Sequence, residues 1–197
     1  MEAPQIKSII EDVRHTVSVA SLNFDIWWVY KNKETRSKYN KTMSAYSLFF
    51  QTSLRAHFVV ALIALYRLYE TRKDTSNIPN LIKSLEKLEK FPKATLKRAN
   101  EIYIDAKPLW RKVSVLRNES FGHLKVETSV EDGFEKAGIK ADDLQVLIML
   151  TKKLINIITN GFDHSTHAFN LNATNVTTSM LEALRIGLEE RQLPHPG

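Results

Sequence analysis

Glycine and proline are scarce in this chain, at six each, and they fall mainly between stretches where apolar residues recur every three to four positions. The irregular backbone those two residues allow is therefore confined to junctions. The 3.6-residue period of the remainder has one regular solution, the α-helix. The chain is expected to be all-α, a single-domain antiparallel helical bundle of about five to seven helices. The domain should span 1–197 with a frayed tail from about 191, where Pro194 and Pro196 stand. Neither an internal repeat nor a second domain is visible.

The spacing predicts helical segments in order. Residues 3–31 hold Ile6, Ile9, Ile10, Val13 and Val17, then Leu22, Phe24, Trp27, Trp28 and Tyr30, as one long helix or two short ones. The tryptophan pair suits a core or a dimer interface better than a ligand platform. Residues 31–41 read as a lysine-rich connection. A strong helix over 42–73 carries Tyr46, Phe49, Phe50, Leu54, Phe58, Leu62, Leu65, Tyr66 and Tyr69 near one face, with His57 as a satisfied structural histidine among them. Residues 74–77 end it and cap a short helix over 78–90. Residues 93–121 form a longer stretch that Pro108 should kink or divide. Residues 125–141 read as a long loop with room for a short turn of structure, 142–168 as a helix, 170–178 as a polar break and 179–190 as a last helix.

Charge and composition restrict the partners. A net charge of +6 and a pI near 9.4 favour an anionic partner, nucleic acid first and an acidic membrane surface second. With no cysteine there is no disulfide, zinc–thiolate site or thiol nucleophile. The N-terminus lacks the basic-then-apolar run of a signal peptide, and the longest apolar stretch, Phe58 to Tyr66, is far too short to span a bilayer. A cytoplasmic protein without a membrane partner is expected.

The chemistry concentrates in Arg117-Asn118-Glu119-Ser120-Phe121-Gly122-His123. Arginine offers a permanent cationic fork and histidine exchanges protons near neutral pH, a pair suited to holding and cleaving a phosphodiester. With ten arginines, twelve asparagines and six histidines in 197 residues, R-N-x4-H is expected by chance roughly 0.02 times. On one unbroken helix Arg117 and His123 would stand about 120° and about 9 Å apart, too far to meet easily at one phosphate. Gly122 can end the helix and turn His123 back, and a two-fold copy would bring two arginines and two histidines together. In the bland alternative Arg117 and Asn118 only satisfy a helix end, and His123 caps carbonyls.

Upstream, nine bases stand against four acids between Leu81 and Lys112. This is either a solvated face with i,i+4 ion pairs or an electrostatic track, in which Arg111 and Lys112 would bind the substrate beside the motif. Asp163, His164 and His167 could share a metal if a helix continued through them, but a polar helix end explains them better. No metal and no cofactor is expected. A glycine-rich phosphate loop, an H-E-x-x-H motif and a recognisable serine nucleophile are all missing.

Arg-Asn-x4-His at a helix end in a small all-α chain resembles the R-x4-6-H signature of the HEPN superfamily, and the order of segments resembles its abortive-infection (Abi) branch. Asn-Phe-Asp-x-Trp-Trp at Asn23 to Trp28, Ala-Leu-Tyr-Arg-Leu-Tyr-Glu at Ala64 to Glu70, and the small Gly122 before the histidine carry the likeness, which extends to about residue 170. The resemblance implies a helical bundle that dimerises with its motifs facing each other. It also implies metal-independent RNA cleavage, often in toxin–antitoxin or phage-defence systems. By position, Arg117 and His123 would be catalytic and Asn118 a polar accessory, with RNA as substrate, a second copy of the chain as partner and an antitoxin protein as a further one. The sequence departs from the pattern at Glu119, where a basic residue is common and an acid repels phosphate, and at Leu124-Lys125, where a basic-acidic pair is common. Two functions follow: a homodimeric endoribonuclease, or a non-catalytic helical module that binds RNA or a protein.

Overall fold

The structure, a computed structural model, describes residues 3–121 and 130–192. Among these the chain is all-α, with eight helices and no strand: α1 (Ala3–Lys31), α2 (Lys33–Ala45), α3 (Ser47–Tyr69), α4 (Ile78–Glu86), α5 (Lys93–Phe121), α6 (Val130–Ala137), α7 (Ala141–Asp163) and α8 (Ala173–Gln192). The helices gather into two compact units. One takes Met1–Ser21 and Leu62–Phe169, the other Leu22–Ala61 and Asn170–Gly197, so α1 and α3 each supply sequence to both.

In the first unit α1 buries Ile6, Ile10, Val13, Val17 and Ala20, an alternating four-and-three spacing that keeps one stripe of a helix facing inward. The same physics places Leu62, Leu65 and Leu68 of α3, Leu81, Ile82 and Leu85 of α4, and Leu144, Leu147, Leu154 and Ile158 of α7 in this core. Tyr69 is buried beside Thr151 at 2.7 Å. The Thr151 hydroxyl donates to the Leu147 carbonyl, so the Tyr69 hydroxyl is the donor between them. Burial pushes the Tyr69 phenol far above its usual range. Asn77, fully buried, caps α4 by accepting from the Asn80 amide at 2.8 Å, and its own NH2 group holds the Arg72 carbonyl and the Thr75 hydroxyl.

α5 packs along α7 and also meets α4 and α6. Their approach is set by a missing side chain: a Cβ at Gly161 of α7 would lie 2.6 Å from Thr95 Cγ2 and 3.2 Å from Phe91 Cζ. Pro108 lies inside α5 without dividing it. Proline removes the amide that would bond the Ile104 carbonyl, but Ile104 and Pro108 are both exposed, where water can satisfy that carbonyl.

The second unit is built on aromatic rings. Trp27 is buried, packing on Phe58 at 5.2 Å and Phe24 at 5.6 Å, which makes it core, while Trp28 is half-buried. Tyr30 meets Phe50 edge-on at 5.3 Å. The connection expected at 31–41 is helical instead. Asn32 Oδ1 accepts from the Glu34 amide to start α2, and the buried Tyr39 donates from its hydroxyl to Glu182 of α8 at 2.9 Å. α8 begins at Ala173, ahead of the expected 179, because Asp25 accepts from the Ala173 amide and Asn172 from the Thr174 amide. His57 is held at 2.7 Å from Asn23 Oδ1, and burial lowers its pKa below the ordinary imidazole value.

The apolar run Phe58 to Tyr66 is by itself too short for a bilayer, yet α3 around it has 23 residues and mean hydropathy 1.6, enough by length and composition alone to cross one. α3 also carries Arg55 and Arg67 and gives Phe50, Phe58, Leu62 and Leu65 to the protein's own cores.

The α5–α7 contact yields a test. Gly161→Ala should lower unfolding free energy by about 1–3 kcal/mol through overpacking, and Thr95→Ser, which removes the clashing methyl, should restore most of it in urea titrations.

Candidate functional site

Arg117 lies one turn before the end of α5 and is half-buried. Its guanidinium carbon stands 5.0 Å from the centroid of the Tyr66 ring, contributed by α3. Tyr66 stacks on Trp110 with centroids 6.1 Å apart and planes 29° apart, and the Trp110 indole N–H donates to the Tyr66 carbonyl at 3.0 Å. Trp110 precedes Arg117 by two helical turns, so both side chains leave α5 within about 20° of each other. The result is a ladder of indole, phenol and guanidinium. A guanidinium is weakly hydrated and planar, so a ring face restrains it without removing its charge. Arg117 Nη1 donates to Asn118 Oδ1 at 3.0 Å, and among the described residues this is its one hydrogen-bond partner, with no other acceptor on the fork.

Asn118 is exposed beside it. Glu119, expected to repel phosphate, is paired with Lys136 of α6 at 3.2 Å, which offsets the local negative charge. Lys136 belongs to a stretch expected to be loop, and nothing in the spacing announced the pairing. His123 and Gly122 lie outside the described residues, as do Leu124 and Lys125.

The two residues assigned to substrate binding differ. Arg111 is exposed, while Lys112 is half-buried and sits 3.6 Å from Asp143. On α5 their side chains are about 120° and 140° around the axis from Arg117, so the helix alone does not gather all three on one face. Of the nine bases between Leu81 and Lys112, Lys112 is the one in an ion pair among the described residues. The i,i+4 pairs of the solvated-face reading are not formed there.

Asp163, His164 and His167 do not share a helix face. α7 ends at Asp163, and His164 turns left-handed with φ 62°. Two hydrogen bonds from Ser165 hold the Asp163 carboxyl below the usual carboxylate range. Among the described residues no group of three or more histidines and carboxylates is arranged to hold a metal.

Tyr66 was legible as part of an apolar face and of the Ala64 to Glu70 stretch, with no role of its own, yet it positions the arginine. A double-mutant cycle of Tyr66→Leu and Arg117→Met, read by urea unfolding, should give a coupling of about 0.5–1 kcal/mol. A coupling of zero would mean that the ring does not hold the guanidinium.

The family model of the HEPN group described as AbiU2 matches residues 4–176, a span that includes Asn23 to Trp28, Ala64 to Glu70 and the whole of Arg117 to His123. No curated protein and no solved structure matches the chain. With most of its length matched and an all-α fold, the chain belongs to the AbiU2 family, an abortive-infection branch of the HEPN superfamily.

Proposed function

We propose that this chain is a metal-independent endoribonuclease whose Arg117 and His123 form a composite site across a homodimer. One observation carries the reading: the motif arginine is held on the Tyr66–Trp110 ladder with Asn118 as its one hydrogen-bond partner among the described residues, and Lys136 offsets the adjacent Glu119. Membership of an abortive-infection family supports it further.

RNA carries its own nucleophile. His123 removes the proton of a 2′-hydroxyl or supplies one to the departing 5′-oxygen. The 2′-oxygen bonds to phosphorus as the P–O5′ bond breaks, leaving a 2′,3′-cyclic phosphate and a 5′-hydroxyl. Arg117 stabilises the charge that builds on the phosphate oxygens in the transition state. Asn118 fixes the arginine through its carbonyl and can offer its NH2 group to the phosphate. Arg111 and Lys112 meet the strand further from the reacting bond. An antitoxin protein covering this face would silence it.

The test is cleavage of total and transfer RNA in EDTA by wild type, Arg117→Ala and His123→Ala at equal dimer content. Wild type should cut to cyclic-phosphate ends, and each variant should lose at least about 100-fold. Wild-type rates from His123→Ala would overturn the proposal. RNA binding without product from the wild type would favour a non-catalytic module.

A further inference from the structure

Residues 35–61 contain no acid, where the chain's average would place about three, and they carry four bases, Arg36, Lys38, Lys41 and Arg55. Lys38 is paired with Glu182 at 3.2 Å. Arg36, Lys41 and Arg55 are exposed and join no ion pair among the described residues. The second unit buries the other side of this stretch. Tyr39, Met43, Tyr46, Phe50 and Leu54 pack in one cluster, at spacings of three and four that carry through the junction of α2 and α3. Lys41, Leu48 and Arg55 follow one another at seven residues, about two helical turns, and fall on the side away from that cluster.

That outer side is apolar at its centre. Leu48 is 80% exposed and Phe49 57%, beside exposed Ala45 and Ala56, with Val60 41% exposed further along α3. Large side chains projecting this far into water gain nothing for the fold, which takes Phe50 and Phe58 into its core instead. Neither nucleic acid nor a second copy matches the pattern. A phosphate backbone would take the bases and leave Leu48 and Phe49 in water. A second copy would set Lys41 and Arg55 against like charges.

We infer that this face docks on an anionic phospholipid bilayer, with α3 lying on the surface and not crossing it. Leu48 and Phe49 enter the acyl boundary, while Lys41 and Arg55, on long apolar stems, reach lipid phosphates on either side. Arg36 adds attraction to the negative surface. A fluid bilayer accepts projecting side chains without a complementary pocket. α3 is long and apolar enough for a span, but Phe50, Phe58, Leu62 and Leu65 belong to the protein's own cores, so only its outer side can meet lipid. The inference departs from the expectation of a protein without a membrane partner, because surface docking needs no spanning segment. It uses none of the motif's residues.

The test sediments the full chain with unilamellar vesicles of phosphatidylcholine, alone or with about 30 mol% phosphatidylserine. Wild type should bind the anionic vesicles at least about tenfold more tightly than the neutral ones. Leu48→Ser/Phe49→Ser and Lys41→Gln/Arg55→Gln should each weaken that binding at least about tenfold, whereas the charge-matched Lys83→Gln/Lys87→Gln of α4 should change it less than about threefold. Insertion is read separately. The chain has no cysteine, so Leu48→Cys carries a polarity-sensitive dye at a single place, and its emission should shift to the blue on anionic vesicles. No binding by wild type, equal loss in the Lys83→Gln/Lys87→Gln variant, or binding without a dye shift overturns the inference. A dye shift that follows protein concentration without vesicles also overturns it, and assigns the face to a second copy.

Discussion

The close packing of α5 on α7 is the constraint on which the first unit depends. α5 must run unbroken from Lys93 to Phe121 to carry its buried residues, from Ala99 to Leu116, and still deliver Arg117 near its end. Gly161 permits the approach at one end, and the exposure of Ile104 and Pro108 lets the helix survive a missing amide midway. A break at Pro108 would separate Trp110 and Arg117 from the register that brings both to Tyr66.

Chemistry grows from that packing with few additional residues. Tyr66 belongs to the same helix that buries Leu62, Leu65 and Tyr69, so the ring that restrains Arg117 is placed by the core itself. Trp110 braces it from α5 through both stacking and the bond to the Tyr66 carbonyl. The ion pair of Glu119 and Lys136 is solvent-exposed and adds little stability. In the proposed reaction it matters because it changes the charge an approaching phosphate meets.

The sequence pattern made much of this legible, for definite reasons. Long apolar periodicity placed α1, α3, α5 and α7, since a 3.6-residue stripe needs no knowledge of what covers it. α2 was not legible, because its order comes from Tyr39 reaching Glu182, 143 residues away, and not from an apolar stripe of its own. The early start of α8 likewise rests on Asp25, a distant acceptor. Arg117 and Asn118 stood out through their spacing, whereas Tyr66 looked like one more ring on an apolar face. Lys136 lay in a segment too short and polar to show its period. The polar helix end expected at 163–167 is what the structure has: α7 ends at Asp163, whose carboxylate accepts two hydrogen bonds from Ser165.

The central claim is that the Arg117–His123 motif uses the RNA's own hydroxyl as nucleophile. Its most direct measurement is the cleavage rate of an oligoribonucleotide carrying a single 2′-deoxy substitution at the mapped cut position, with the unmodified strand alongside. The account predicts that the substituted strand stays intact at that position while the unmodified strand is cut. Cleavage of both at the same rate would contradict it, because water would then be the nucleophile.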